Sequence, residues 1–373
     1  MNREERERIG FICAYTPVAL IEAAGFGPYR ILPHEGAPDL AGAHLHDNLC
    51  PHVKRVLNRA LAGEIPELAG TVLMGCCDAV RRLADVWRVE VAAQSSVLLE
   101  LPVAGSERSV DYFCRELQRF AADLVRWGGH PIADDDLERS LDGYNALARG
   151  LSRLQDRAAA GTLPGGRAAL QEMHNLSVTV TLSQALDELA RIEAQTATGG
   201  SPPNLTSDAD RGTGPAKRAS RADRGTPVYL AGNVLSDPQA FTMLEECGCH
   251  IIADDLCTGS RQLEPIASQP GGNPWERLAR GLLRRTPCAR ALEPAKPGYL
   301  AEALAGRALD CGARGVIVHV MKFCDPYLAR LPLIRRRLKQ NGLPLLVLEG
   351  DCTLRSIGQQ RTRIEAFVEM LSR

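Results

Sequence analysis

No run in this chain approaches the roughly 20 consecutive apolar residues that a membrane-spanning helix needs, which sets aside a protein anchored by such helices. A sustained basic stripe is also missing. The 44 Lys plus Arg stand against 45 Asp plus Glu, so there is no electrostatic track for a phosphate backbone, and nucleic acid is not expected as a partner. Neither a G-x-x-x-x-G-K-[ST] loop nor a G-x-G-x-x-G following a strand is found, so nucleotide handling is expected of another protein. The opening residues, Met1 to Arg8, are charged and lead into a strand-like run instead of a signal-peptide core. The expectation is a cytoplasmic protein.

Cysteine, by contrast, is plentiful: twelve residues. In a reducing compartment thiols serve as ligands, nucleophiles or core residues rather than as disulfides. The length of 373 residues exceeds one ordinary core and fits two domains. Strand-like runs at Ile9 to Tyr15, Arg30 to Pro33 and Thr71 to Gly75 alternate with helical patterns. One helix opens at Thr16-Pro17 and stops at Gly25, one opens at Cys50-Pro51, and one runs from Asp78 to Trp87. From Ser106 to about Ala194 the period is helical throughout, and is read as a layer belonging to the first domain. Residues 196–225 combine Gly, Ser, Pro and Thr with almost no apolar side chains, the composition of a flexible linker.

Alternation then resumes with strands at Val228 to Ala231, Cys249 to Ala253, Gly315 to Met321 and Leu345 to Leu348, closed by a helix from Gln359 to Leu371. The pattern predicts an α/β chain with parallel sheets covered by helices. Its parts are a first domain over 1–195 with a helical layer from about 106, a linker over 196–225, and a second, smaller domain over 226–373.

Two segments share one design. Thr71 to Asp78 and Val316 to Pro326 each carry a cysteine from a strand's carboxyl end to a helix's amino end. Ligands bind at that edge of open α/β sheets, and a helix amino terminus favours a thiolate. Cys50, followed by Pro51, has the same setting. Thiolates of Cys50, Cys77 and Cys324 meeting in an interdomain cleft would suit a [4Fe–4S] cluster with its fourth iron open, able to act as a Lewis acid.

The run Phe11-Ile12-Cys13-Ala14-Tyr15-Thr16-Pro17, with Leu20 to Gly25 and Pro28 to Ile31, resembles the opening of the 2-hydroxyacyl-CoA dehydratase and benzoyl-CoA reductase family. Asn48-Leu49-Cys50-Pro51, Cys77-Asp78, Asp254 to Arg261, Lys322-Phe323-Cys324-Asp325 and Gly358 to Phe367 resemble further motifs of that family, in order. The resemblance implies two Rossmann-like or flavodoxin-like domains with one oxygen-sensitive [4Fe–4S] cluster per chain in the cleft between them. It implies an identical or homologous partner subunit and a separate ATP-dependent iron–sulphur activator that delivers a low-potential electron. The substrate would be an acyl-CoA. Dehydratases of the family expel a 2-hydroxyl through a ketyl radical, and the reductases place the electron in an aromatic ring. Cys50, Cys77 and Cys324 match the family's cluster ligands. Cys76, doubled with Cys77, is the reserve.

Other candidates carry competing explanations. Thr16 and Glu35 follow the first two strands and are candidates to contact substrate and move a proton, or else a helix cap and a solvated loop. Arg261, Lys322, Arg361 and Arg363 are candidates for CoA phosphates, although Arg361 and Arg363 could instead pair with Asp351 or Glu365. His44, His46, Cys50 and His52 invite zinc, but their spacing is not that of a standard finger. Cys13, Cys114, Cys247, Cys249, Cys288 and Cys311 are read as packing residues. Cys257, with Arg261, is read as shaping the crevice, and Cys352 is an outside candidate. Beyond the dehydratase, the alternatives are a benzoyl-CoA reductase-type subunit, a double-cubane-cluster reductase acting on small unsaturated molecules, and a non-catalytic two-lobe ligand-binding protein.

Overall fold

The computed structural model describes residues 6–34, 36, 39–91, 95–198, 225–267, 272–293, 295–353 and 358–373. The predicted linker falls almost wholly outside them. In the first domain the chain runs β1 (Arg8–Phe11), α1 (Val18–Ala23), β2 (Gly27–Arg30), α2 (Asp39–Gly42), α3 (Pro51–Leu61), β3 (Gly70–Met74), α4 (Asp78–Glu90) and β4 (Ser95–Leu99). The strands form an all-parallel sheet in the order β2-β1-β3-β4. β2 begins earlier than the sequence pattern suggests, because Pro28 can sit in an edge strand, where its missing N–H leaves no ladder bond unmade. β4, which the pattern does not indicate, completes the other edge.

The second domain repeats the plan with β5 (Thr226–Gly232), α9 (Pro238–Glu246), β6 (Cys249–Asp255), α10 (Pro274–Leu283), α11 (Tyr299–Asp310), β7 (Gly315–Met321), α12 (Asp325–Gln340), β8 (Leu345–Gly350) and α13 (Arg361–Ser372). Its sheet, also parallel, has the order β6-β5-β7-β8. Both sheets therefore place their first strand between their second and third. β7 is buried along its whole length, as a central parallel strand covered on both faces must be. Gly232 closes β5 at φ 148°, and a Cβ there would lie 2.1 Å from the His319 carbonyl oxygen. Only glycine lets these two central strands come so close at the carboxyl edge.

Between the two sheets in chain order come α5 (Glu107–Arg126), α6 (Asp134–Ala159), α7 (Gly166–Leu176) and α8 (Leu182–Thr198). The sequence pattern assigns this layer to the first domain, but its packing joins both. α6 lies against α1 and β6, and α7 lies against α9. In return α10 of the second half packs on α5 and α6, and its Leu278, Ala279 and Leu282 enter the core of Phe113, Leu117 and Phe120.

The polar face of α7 is bonded into the second domain. Arg167 donates to the Ile251 carbonyl at 2.7 Å and pairs with Asp254 at 3.4 Å, both side chains being almost wholly buried. Gln171 donates to the Thr258 carbonyl at 2.8 Å and Asn175 to that of Ser236 at 2.7 Å. Removing one partner of a buried ion pair leaves the other uncompensated. The substitution Arg167→Ala is therefore expected to lower unfolding stability by about 3–5 kcal/mol, measured by denaturant titration. A loss below about 1 kcal/mol would show that α7 is not held this way.

Candidate functional site

A parallel sheet whose strand order reverses beside its first strand leaves a gap at its carboxyl edge, since neighbouring connections leave in opposite directions. Both sheets present that gap to one cavity of about 110 Å³, an order of magnitude above the ~10–15 Å³ that one water occupies on this measure. Cys13 reaches it from the turn after β1, Cys76 and Cys77 from that after β3, and Cys324 from that after β7. Cys50 enters from the start of α3, Cys257 from the turn after β6, and Cys288 from the segment between α10 and α11. Seven thiols thus line one cavity.

Cys50, Cys77 and Cys324 are the N-cap residues of α3, α4 and α12. Backbone N–H groups of the first helical turn, at His52, Val80 and Tyr327, lower the pKa of each in turn. Burial opposes them. It pushes Cys50 far up and Cys324 up to about 11, and the Cys50 thiol also feels Cys324 and Cys77. Phe323, just before Cys324, holds φ at 58°, a conformation disfavoured for a bulky side chain and worth about 1–3 kcal/mol of strain. The turn that aims Cys324 inward is held against that strain.

Neighbouring thiols also shift one another. Interaction with Cys76 brings Cys13 to about 7 and lowers Cys77, while Cys76 itself is raised. Cys257 donates to Cys288, which falls to about 5 against its burial, with the Arg261 guanidinium, the Arg290 N–H and the Arg290 charge assisting. Arg261 is buried, paired with Asp255 at 2.8 Å, and its Nη2 lies 3.5 Å from the Cys257 sulphur. Arg285 and Arg290 lie over the Tyr15 ring at 5.4 and 5.7 Å, and the Tyr15 hydroxyl accepts from the Cys288 N–H at 3.3 Å. His52 is buried on the same wall, held neutral down to about pH 3 by desolvation and by the charge of Arg30.

Of the residues singled out in the sequence, Cys50, Cys77, Cys324 and Arg261 line the cavity. Thr16 does not. It lines a separate cavity of about 40 Å³ near Tyr144 and Asn145, its buried hydroxyl has no hydrogen-bond partner among the described residues, and Pro17 holds the cap position of α1. Glu35 lies outside the described residues. Lys322 is exposed, and Arg361 pairs on the surface with Glu246 and Glu365, so neither joins the cavity. The imidazoles considered for zinc do not gather at Cys50. His44 pairs with Glu90, and His46 accepts from the Asn48 N–H. Among the described residues no three His, Cys, Asp or Glu side chains crowd around one point as a single bound ion requires.

Cys13 and Cys288, read from the sequence as packing residues, belong to the cavity wall. Apolar neighbours along the chain hide this, because a thiol facing a cavity and one facing a core have the same local sequence. Cys247 and Cys249 do pack in the second core, and Cys352 is buried in the cluster that holds Cys50 and Met321 without lining the cavity itself. Sequence reasoning misses Arg30, Arg285 and Arg290 outright. Arg30-Ile31 lies inside a family-like run, and its charge beside a strand end is the one available signal.

A family model described as 2-hydroxyglutaryl-CoA dehydratase, D-component, matches residues 13–371. The chain is 23% identical over 381 residues to the (R)-phenyllactyl-CoA dehydratase beta subunit of Clostridium sporogenes, covering 100% of this chain and 93% of that one. It is 23% identical to the beta subunit of the lactoyl-CoA dehydratase of Anaerotignum propionicum, covering 97% and 91%. With one of the subunits of the benzoyl-CoA reductase of Thauera aromatica it shares 24% identity over 91% of this chain and 84% of that one.

A thiol with pKa about 5 is a thiolate at neutral pH, whereas one at the ordinary value of 9.0 is ionised there to only about one part in a hundred. In metal-free, reduced protein at pH 7, Cys288 is expected to be the first cavity cysteine alkylated by iodoacetamide, read by peptide mass spectrometry. Preferential labelling of Cys50 or Cys76 would contradict the charge distribution described.

Proposed function

Because the chain belongs to the 2-hydroxyglutaryl-CoA dehydratase D-component family, we propose that it is the iron–sulphur subunit of a 2-hydroxyacyl-CoA dehydratase, eliminating water from a 2-hydroxyacyl-CoA. The observation that carries this reading is the arrival of Cys50, Cys77 and Cys324, from both domains, at one cavity. Three helix amino termini directed at the same space favour an anionic group. Buried guanidiniums on the wall add to that preference. Thiolates around a cubane bind different irons, so they need not crowd one ion.

Cys50, Cys77 and Cys324 would hold a [4Fe–4S] cluster, which when bound supplies one-electron transfer and an open iron as Lewis acid. The chain's own residues do the rest. Tyr15, Val80, Val234 and Met321 line the wall and limit water. Arg261, fixed between Asp255, the Gly232 carbonyl and the Tyr327 hydroxyl, keeps a positive charge at the turn after β6. The partner subunit and the ATP-dependent activator belong to the same proposal.

One further observation favours a second reading. The cavity has seven thiols, four more than a single cluster with an open iron takes up. That surplus supports the double-cubane alternative, a reductase of small unsaturated molecules.

Iron and sulphide analysis of anaerobically purified protein separates the two. About four irons per chain is expected for one cubane, and a content well above that favours the second reading. Cys77→Ser and Cys324→Ser are each expected to lose most of the iron and its paramagnetic signal while keeping the native circular dichroism spectrum. Colourless, iron-free protein from anaerobic, iron-replete cells would overturn both readings.

A further inference from the structure

Four guanidiniums line the thiol cavity: Arg30, Arg261, Arg285 and Arg290. Two of them have carboxylates, since Arg261 pairs with Asp255 and Glu264 stands 3.8 Å from Arg285. Asp255 is shared with Arg307 and has no charge to spare. The other two have no carboxylate partner among the described residues. Arg30, 1% exposed, donates to neutral oxygens, the Cys257 carbonyl at 2.6 Å and Gln262 Oε1 at 2.8 Å. Arg290, 9% exposed, donates to the Leu101 and Pro102 carbonyls, each at 2.8 Å. Among the described residues the Nε of each is buried without a hydrogen-bond partner.

A buried cation without counter-charge is strongly disfavoured, so the missing negative charge must come from what faces these side chains. Among the described residues the cavity wall contains no Asp or Glu, and its acidic groups are the seven thiols with Tyr15 and Tyr327. Burial pushes both tyrosines up, away from ionisation. Sulphur is what remains. Arg30 feels the charges of Cys257 and Cys13, and Arg290 that of Cys288.

We propose that Arg30 and Arg290 are the counter-cations of anionic sulphur in this cavity, and that they set the one-electron energetics of any metal group it holds. They are positioning residues, acting through charge across the cavity. A nearby positive charge stabilises the more negative member of a redox couple, so each raises the reduction potential. For the metal-loaded protein the inference rests on the cluster reading. For the metal-free protein it does not.

The test compares Arg290→Gln with Arg290→Lys, and Arg30→Gln with Arg30→Lys, in the full chain. In metal-free protein, the pH midpoint of the iodoacetamide reaction at Cys288 is expected to rise by about one unit in R290Q and to be retained in R290K. In anaerobically loaded protein, the one-electron midpoint is expected to move negative in R290Q and R30Q, where a tenfold change in the equilibrium is about 59 mV. An unchanged pH profile of alkylation and an unchanged potential in the Gln variants overturn the inference. Equal effects in the Lys variants overturn it as well, because packing and not charge would then be responsible. Should R290Q fail to fold, R30Q decides, read as a similar rise of the alkylation midpoint at Cys13. Iron-free wild-type protein would sink the cluster reading alone, since the alkylation comparison still decides for or against the two arginines.

Discussion

Parallel strands all release the chain at the same edge of a sheet, and a sheet whose first strand lies between its second and third must leave a gap there. Everything functional in this molecule depends on that constraint being met twice, with the two gaps opening on one cavity. β1 and β3 bring Cys13, Cys76 and Cys77 to the gap of the first sheet, and β5 and β7 bring Asn233 and Cys324 to that of the second. Asn233 shows how closely the two halves of the second gap are coupled. Its Nδ2 donates to the Cys324 sulphur at 3.2 Å, and its Oδ1 accepts from the Met321 N–H at 3.2 Å.

The helical layer makes the arrangement durable. Two sheets joined only by a long polar segment would have no fixed relation, because interfaces between domains are commonly modest and permit relative motion. α6 and α7 supply the relation. They bury apolar residues on the first domain and direct Arg167, Gln171 and Asn175 into the second, while α10 returns from the second half to the first core. The cavity is thus walled by elements bonded on both sides. Its wall combines helix amino termini, guanidiniums and neighbouring thiols, each of which makes negative charge on sulphur less unfavourable in a buried space. Membership of the dehydratase family accords with such a cavity.

Much of the architecture is legible in the residues. Continuous apolar runs such as Val316 to Met321 announce central parallel strands, and Cys50-Pro51 and Cys324-Asp325-Pro326 announce helix starts. These signals are local, set by backbone sterics and by burial of neighbouring side chains. β4 escapes because Ser95 and Ser96 dilute an edge strand that is only partly buried. The helical layer is visible as helices, but its allegiance is not. Amphipathic period shows that a helix has a partner without saying which partner. For the same reason Arg361, beside a family-like motif, reads as a candidate for CoA phosphates, whereas the fold leaves it on the surface between Glu246 and Glu365.

The sequence by itself determined the alternation of strands and helices, the division into two parallel-sheet halves, and the placing of Cys50, Cys77 and Cys324 at helix starts. Each of these follows from short-range spacing. Only the tertiary structure decided that Cys13 and Cys288 share the same space, that Thr16 does not, and that Arg30 and Arg290 face sulphur without a carboxylate. Those facts concern residues far apart in the chain, and whether a buried charge or thiol meets a core or a cavity depends on packing among all the layers at once.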